Sequence, residues 1–173
     1  MEDGGRPICL DTNIITWGIL EKCTEGQEAL VAQARRFVES LDRAKTRAMI
    51  PSIVLAELLQ GLPLERHEAF VRPISRRFFI APFDAAAALA FGKLQKERES
   101  DGTIRSIREA GRSRDQVKAD IMIVATAMSH GASAIYSHDD DVRRIAGRRI
   151  AVLRMPRLAG PQGELFPDPK SGK

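Results

Sequence analysis

A chain of 173 residues, 43% hydrophobic and 29% charged, has the size and balance of one soluble domain with a substantial core. No apolar run approaches the length of a membrane span, so no membrane partner is expected, and the acidic start Met1-Glu2-Asp3 does not read as a secretory leader. Two cysteines, Cys9 and Cys23, are too few for a disulfide framework or a zinc cage and fit reduced thiols in the cytoplasm. The net charge of +4 and the basic isoelectric point of about 9.4 fit a polyanionic partner.

Taken in order, Ile8-Cys9-Leu10 reads as a buried strand that runs straight into Asp11-Thr12-Asn13. A short helix or turn follows over Ile14–Leu20. Leu30, Val31, Ala34, Phe37, Val38 and Leu41 recur at helical spacing and predict an amphipathic helix over roughly 26–44. Ala48-Met49-Ile50 is a strand closed by Pro51. Ser52 is expected to cap a short apolar helix, Ile53–Gln60, that carries Glu57 in its middle and stops at Gly61. A helix over Leu64–Val71 should end near Pro73. Phe78–Ala81 is a strand, and Asp84 is placed to cap an alanine-rich helix reaching about Glu99.

Residues 100–117 are polar and read as an extended loop with a further helix. Lys118–Met128 is an apolar, buried helix with Asp120 in its first turn, where the helix dipole favours an anion. Ala134–Ser137 is a strand that feeds His138-Asp139-Asp140-Asp141; Val142–Ala146 is a short helix, and Ile150–Leu153 a last strand. The domain is expected to span 1–155, with 156–173 a mobile tail rich in Pro and Gly. Alternating strands and helices predict a three-layer α/β/α sandwich around a parallel sheet, the Rossmann-type arrangement, with strand carboxyl ends on one edge.

Four acids then stand out: Asp11, Glu57, Asp120 and Asp139, with Asp141 as a fifth. Grouped carboxylates repel one another unless cations neutralise them, and a hard divalent ion is the natural neutraliser. Such a site can activate water and hold a phosphate, the metal-assisted route to phosphodiester cleavage. Each acid has an ordinary reading beside this one. Asp11 and Asp139 could cap the helices that follow them, Glu57 could line a solvent stripe with Gln60, and Asp120 could answer the helix dipole. His138 lacks a second ligand at metal spacing and reads as a loop residue. Arg143, Arg144, Arg148 and Arg149 belong to a run without acids that continues to Arg157 and is a candidate contact for RNA backbone; Arg72, Arg76 and Arg77 form a smaller cluster.

The series Leu10-Asp11-Thr12-Asn13, Val54–Gly61 around Glu57, Ala119–Ala127 around Asp120, and Ser137-His138-Asp139-Asp140-Asp141 resembles a PIN-domain ribonuclease, most of all the VapC-like toxins of toxin–antitoxin pairs. The resemblance covers roughly residues 7–155. It implies an endoribonuclease dependent on Mg2+ or Mn2+, with one or two ions, often a homodimer inhibited by a cognate antitoxin. On it, Asp11, Glu57 and Asp120 match the most regular acids of the family, Asp139 the fourth, and Asp141 an acid often found two residues later. Thr12, Asn13 and Ser137 match polar positions lining the pocket. Val142, where many relatives carry an aromatic residue, and the long polar stretch 100–117 depart from the pattern.

Two other functions compete with that one. A phosphatase of the haloacid-dehalogenase type would also begin with an Asp after its first strand, but needs a second acid where this chain has Asn13. A catalytically silent PIN-like module would bind RNA or a protein and take up no divalent metal through its carboxylates.

Overall fold

The computed structural model describes residues 5–157 and is built on five short strands. These are β1 (Ile8–Leu10), β2 (Ala48–Pro51), β3 (Phe79–Ala81), β4 (Ala134–Tyr136) and β5 (Ala151–Leu153). They form one sheet in the order β3-β2-β1-β4-β5, every neighbouring pair parallel. All five carboxyl ends therefore share one edge. Register places Cys9 beside Met49 on one side and Ile135 on the other.

Eight α-helices cover the two faces: α1 (Thr12–Gly18), α2 (Glu28–Arg43), α3 (Ser52–Gln60), α4 (His67–Arg77), α5 (Ala85–Ser100), α6 (Thr103–Glu109), α7 (Arg114–Ser129) and α8 (Asp140–Ala146). Alternation along each strand splits the core in two. Cys9 and Met49 point into a cluster with Leu94, Ile107, Ile121 and Ile145, which α5 to α8 supply. Their neighbours Leu10 and Ile50 point into a second cluster with Trp17, Phe37, Val54 and Ile74, which α1 to α4 supply. The result is an α/β/α sandwich.

Three local expectations change, and a fourth, the further helix within 100–117, is filled in. Pro73 lies inside α4 and does not end it. Proline there removes one backbone donor, but it sits on the exposed side, while Ile74 is 2% exposed and anchors the helix to the core. Ser52 is the first residue of α3 and makes no cap; its hydroxyl accepts from the Phe83 amide at 3.2 Å instead. The polar stretch 100–117 holds all of α6, entered through Gly102 at φ 79, and the start of α7. Finally, α7 begins four residues earlier than its apolar run. Ser113 caps it with a reciprocal bond to Gln116, so Asp120 sits in its second turn rather than its first. Of the expected mobile tail, residues 158–173 lie outside the described residues.

Candidate active site

Asp11 stands where β1 ends and α1 begins, and it is 4% exposed. One of its oxygens caps α1, accepting from the Thr12 amide at 2.7 Å. The other accepts from the Ser137 hydroxyl and from Asn13 Nδ2 at 3.1 Å. Ser137 follows β4 on the adjacent strand and is wholly buried; its Oγ also accepts from the Asp139 amide at 3.0 Å. The cap and the pocket are thus the same carboxylate used on two sides.

The sheet ladder runs on through these positions. The Asp11 amide donates to the Tyr136 carbonyl at 3.1 Å, and the Ser137 amide to Leu153 at 3.0 Å. Glu57, half-buried on α3, accepts from the Thr12 hydroxyl. Asp139 caps α8 through the Asp141 amide at 2.8 Å. Asp120 projects from α7 and is 8% exposed. Asp11, Thr12, Asn13, Glu57, Asp120 and Asp139 line one cavity of about 350 Å³, together with Thr16, Trp17, Arg112 and Gln116.

Burial and mutual repulsion make the acids reluctant to ionise. Asp11 is pushed up from the ordinary 3.8 to about 6, first by burial, then by Asp139 and Glu57, against the bonds from Ser137 and Thr12 that favour its charge. Asp120 is pushed up to about 7, by burial and by the charges of Asp139 and Asp11, with Arg112 opposing. Two carboxyl groups poised near neutrality in one cavity mark a site that lacks positive charge.

Some of that charge comes from the chain itself. Arg112, just outside α7, places Nη2 at 3.2 Å from Asp120 and 2.9 Å from Asp139, and Nε at 3.3 Å from Asp141. Burial would lower this guanidinium, but the three acids outweigh it and hold it above its ordinary value. Its Nε is a buried atom without a hydrogen-bond partner among the described residues. Asp141 therefore joins the group through Arg112 rather than through the cavity wall.

The donor set fits Mg2+ or Mn2+ in kind: carboxylate oxygens, two of the four groups buried and held near neutral pKa for want of countercharge. No group of three or more potential ligands is gathered closely enough for an ion among the described residues. Asp120, Asp139 and Asp141 are arranged around Arg112.

Arg112, Thr16, Trp17 and Gln116 were not among the residues singled out from sequence. Ser113-x-x-Gln116 is a capping-box pattern that would have started α7 correctly and placed Arg112 just before it. His138 packs edge-on against Trp17 with ring centroids 5.3 Å apart, accepts from the Met155 amide at 3.3 Å, and is held below its ordinary pKa by burial and by Arg154 and Arg143. Most of the candidate RNA-binding arginines are engaged with acids: Arg143 with Asp140 at 3.7 Å, Arg144 with Asp141 at 3.2 Å, Arg149 with Glu97 at 2.9 Å. Arg148 is exposed and makes no ion pair among the described residues.

Solved structures share this architecture, among them chains of two VapBC complexes. The chain resembles one in VapBC2 from Rickettsia felis bound to a promoter DNA fragment, with 22% identity over 86% of this chain and 98% of that one, and a TM-score of 0.62. It also resembles one in DNA-bound VapBC from Salmonella typhimurium, with 25% identity over 88% and 100% and a TM-score of 0.60. No curated protein sequence matches. The family model of the PIN domain matches residues 8–148, which contain every carboxylate of the cavity, and the chain belongs to that family.

Proposed function

We propose that the protein is an endoribonuclease dependent on Mg2+ or Mn2+ and the toxin of a toxin–antitoxin pair. One observation carries the reading: four acids from four separate elements meet in one cavity, and the two most buried of them are held near neutral pKa. Membership of the PIN-domain family and likeness to chains of VapBC complexes support it.

Asp11, Asp120 and Asp139 would hold one or two ions, with Glu57 acting directly or through water and Asp141 at the margin. A divalent cation, when bound, supplies countercharge to the acids and polarises a phosphodiester for attack by water. The chain's own part is orientation. Ser137 and Asn13 fix one Asp11 oxygen, the Thr12 hydroxyl fixes Glu57, and the sheet holds Asp11 and Ser137 side by side. A cognate antitoxin and a homodimer belong to the same proposal. Co-purification with the product of a neighbouring small reading frame tests the first, and sedimentation tests the second. No helix of the described residues is long and apolar enough to cross a membrane.

Purified protein with Mn2+ should cleave RNA and lose that activity in EDTA. Asp11→Asn and Asp120→Asn should each lower the rate by about 100-fold or more, as expected when charge stabilisation of a transition state is lost. Cleavage at the parental rate by both variants would sink the assignment. The position of Arg112 favours one second reading, a silent RNA- or protein-binding module in which Arg112 already supplies countercharge to Asp120, Asp139 and Asp141. Calorimetric titration with Mn2+ separates the two, because the silent module takes up no ion that Asp11→Asn abolishes.

A further inference from the structure

We propose that the groove between the end of α5, α6 and the start of α7 is the track by which single-stranded RNA reaches the carboxylate cavity. The choice of RNA rests on the ribonuclease reading; the track itself rests on the following observations. A groove of about 670 Å³ is lined by Ile104, Arg105, Arg108, Arg112, Ser113 and Arg114. A hollow of about 710 Å³ shares Ile104, Arg108 and Arg114 with it and adds Lys118 and Phe91. Arg112 lines both the groove and the acid cavity, so the two adjoin at that residue.

The pattern of ion pairs decides which arginines can take phosphates. Arg105, Arg108, Arg114 and Lys118 are exposed and make no ion pair or side-chain hydrogen bond among the described residues. Arg143, Arg144, Arg149 and Arg154, in the basic run that stands out in the sequence, are spent on Asp140, Asp141 and Glu97. For those four, binding a phosphate means giving up an existing partner, with Arg148 the exception in the run; for Arg105 and Arg108 on α6 it does not.

Arg105 and Arg108 are three residues apart and share one helix face. The acids of the region are Glu109, Asp115 and Glu99, the last held by Gln95 and Lys96 and close enough to feel the charge of Arg114. Phe91 and Ile104 add apolar surface on which an unpaired base can lie, which favours a single strand over a duplex.

The test is binding without cleavage. A fluorescein-labelled single-stranded RNA is titrated by anisotropy in EDTA across a salt series, with Asp11→Asn as the parent. The triple variant Arg105→Gln/Arg108→Gln/Arg114→Gln, checked for an unchanged melting temperature, should bind about ten-fold more weakly at low salt, with a salt slope shallower by about 2. Arg143→Gln/Arg148→Gln/Arg149→Gln should lose less. Equal binding by the α6 variant and the parent would overturn the track, as would a larger loss in the second variant. So would poly-glutamate binding that the α6 variant loses while keeping RNA. RNA held by these arginines in a protein that never cleaves it would leave the track standing and remove the ribonuclease assignment instead.

Discussion

Asp120 sets a pH dependence that can be worked out in sign. Its folded-state pKa, about 7, lies above the ordinary 3.8, so the folded chain holds this proton more tightly than the unfolded one. The contribution to stability is complete below about pH 4 and is lost as pH rises through 7. Metal-free protein should therefore weaken from pH 5 to pH 8, and Asp120→Asn should remove the penalty. Urea denaturation in EDTA should find the variant more stable at pH 8 by about 1–3 kcal/mol, the gain shrinking at pH 5. An equal difference at both pH values would rule out the carboxyl group as its source. Asp11 and Asp139 were legible from sequence because an apolar run that turns acidic marks a strand's end. Arg112 was not, because one arginine in a polar stretch has no periodicity to betray what it faces.

At the scale of elements, α8 carries Asp139, Asp140 and Asp141 at its start, and its far end is tied to α5. Arg98, 9% exposed, donates to the Ile145 carbonyl at 2.8 Å and pairs with Asp101 and Glu97. Gly147 ends α8 at φ 56, and a Cβ there would lie 2.5 Å from the Arg98 guanidinium. Gly147→Ala meets both a backbone penalty and a clash, so its urea midpoint should fall by the equivalent of about 1–3 kcal/mol. An unchanged midpoint would show that Arg98 yields without cost. Helices were readable wherever an apolar stripe or an alanine run was continuous. Where the signal was a polar cap the boundary moved, since the hydrophobic run of α7 begins later than the helix does.

For the whole molecule, the layered fold was readable because strands and helices alternate and the central strands β2, β1 and β4 are apolar runs with mostly buried side chains. Strand order was not: it follows from which helical faces fill the two core clusters, and those contacts join residues far apart in sequence. The meeting of Asp120 with Asp11 and Asp139 belongs to the same class of fact. A helix can start at either edge of a sheet, and only the packing of α7 against α5 and the sheet brings Asp120 to this one.

The ladder bonds that continue past the strand ends have a kinetic consequence. The Asp11 and Ser137 amides are sealed against the neighbouring strand segments of the sheet, whereas the Arg112 amide closes only a turn, to Ile107 at 3.4 Å. In native-state hydrogen exchange the first two should be released only by global unfolding, and Arg112 by local opening several kcal/mol cheaper, on the order of 2 to 4. Matching exchange rates at all three would contradict this. The carboxylates at the strand ends then behave as fixed furniture of the sheet, while the cation among them rides on a segment that opens on its own clock.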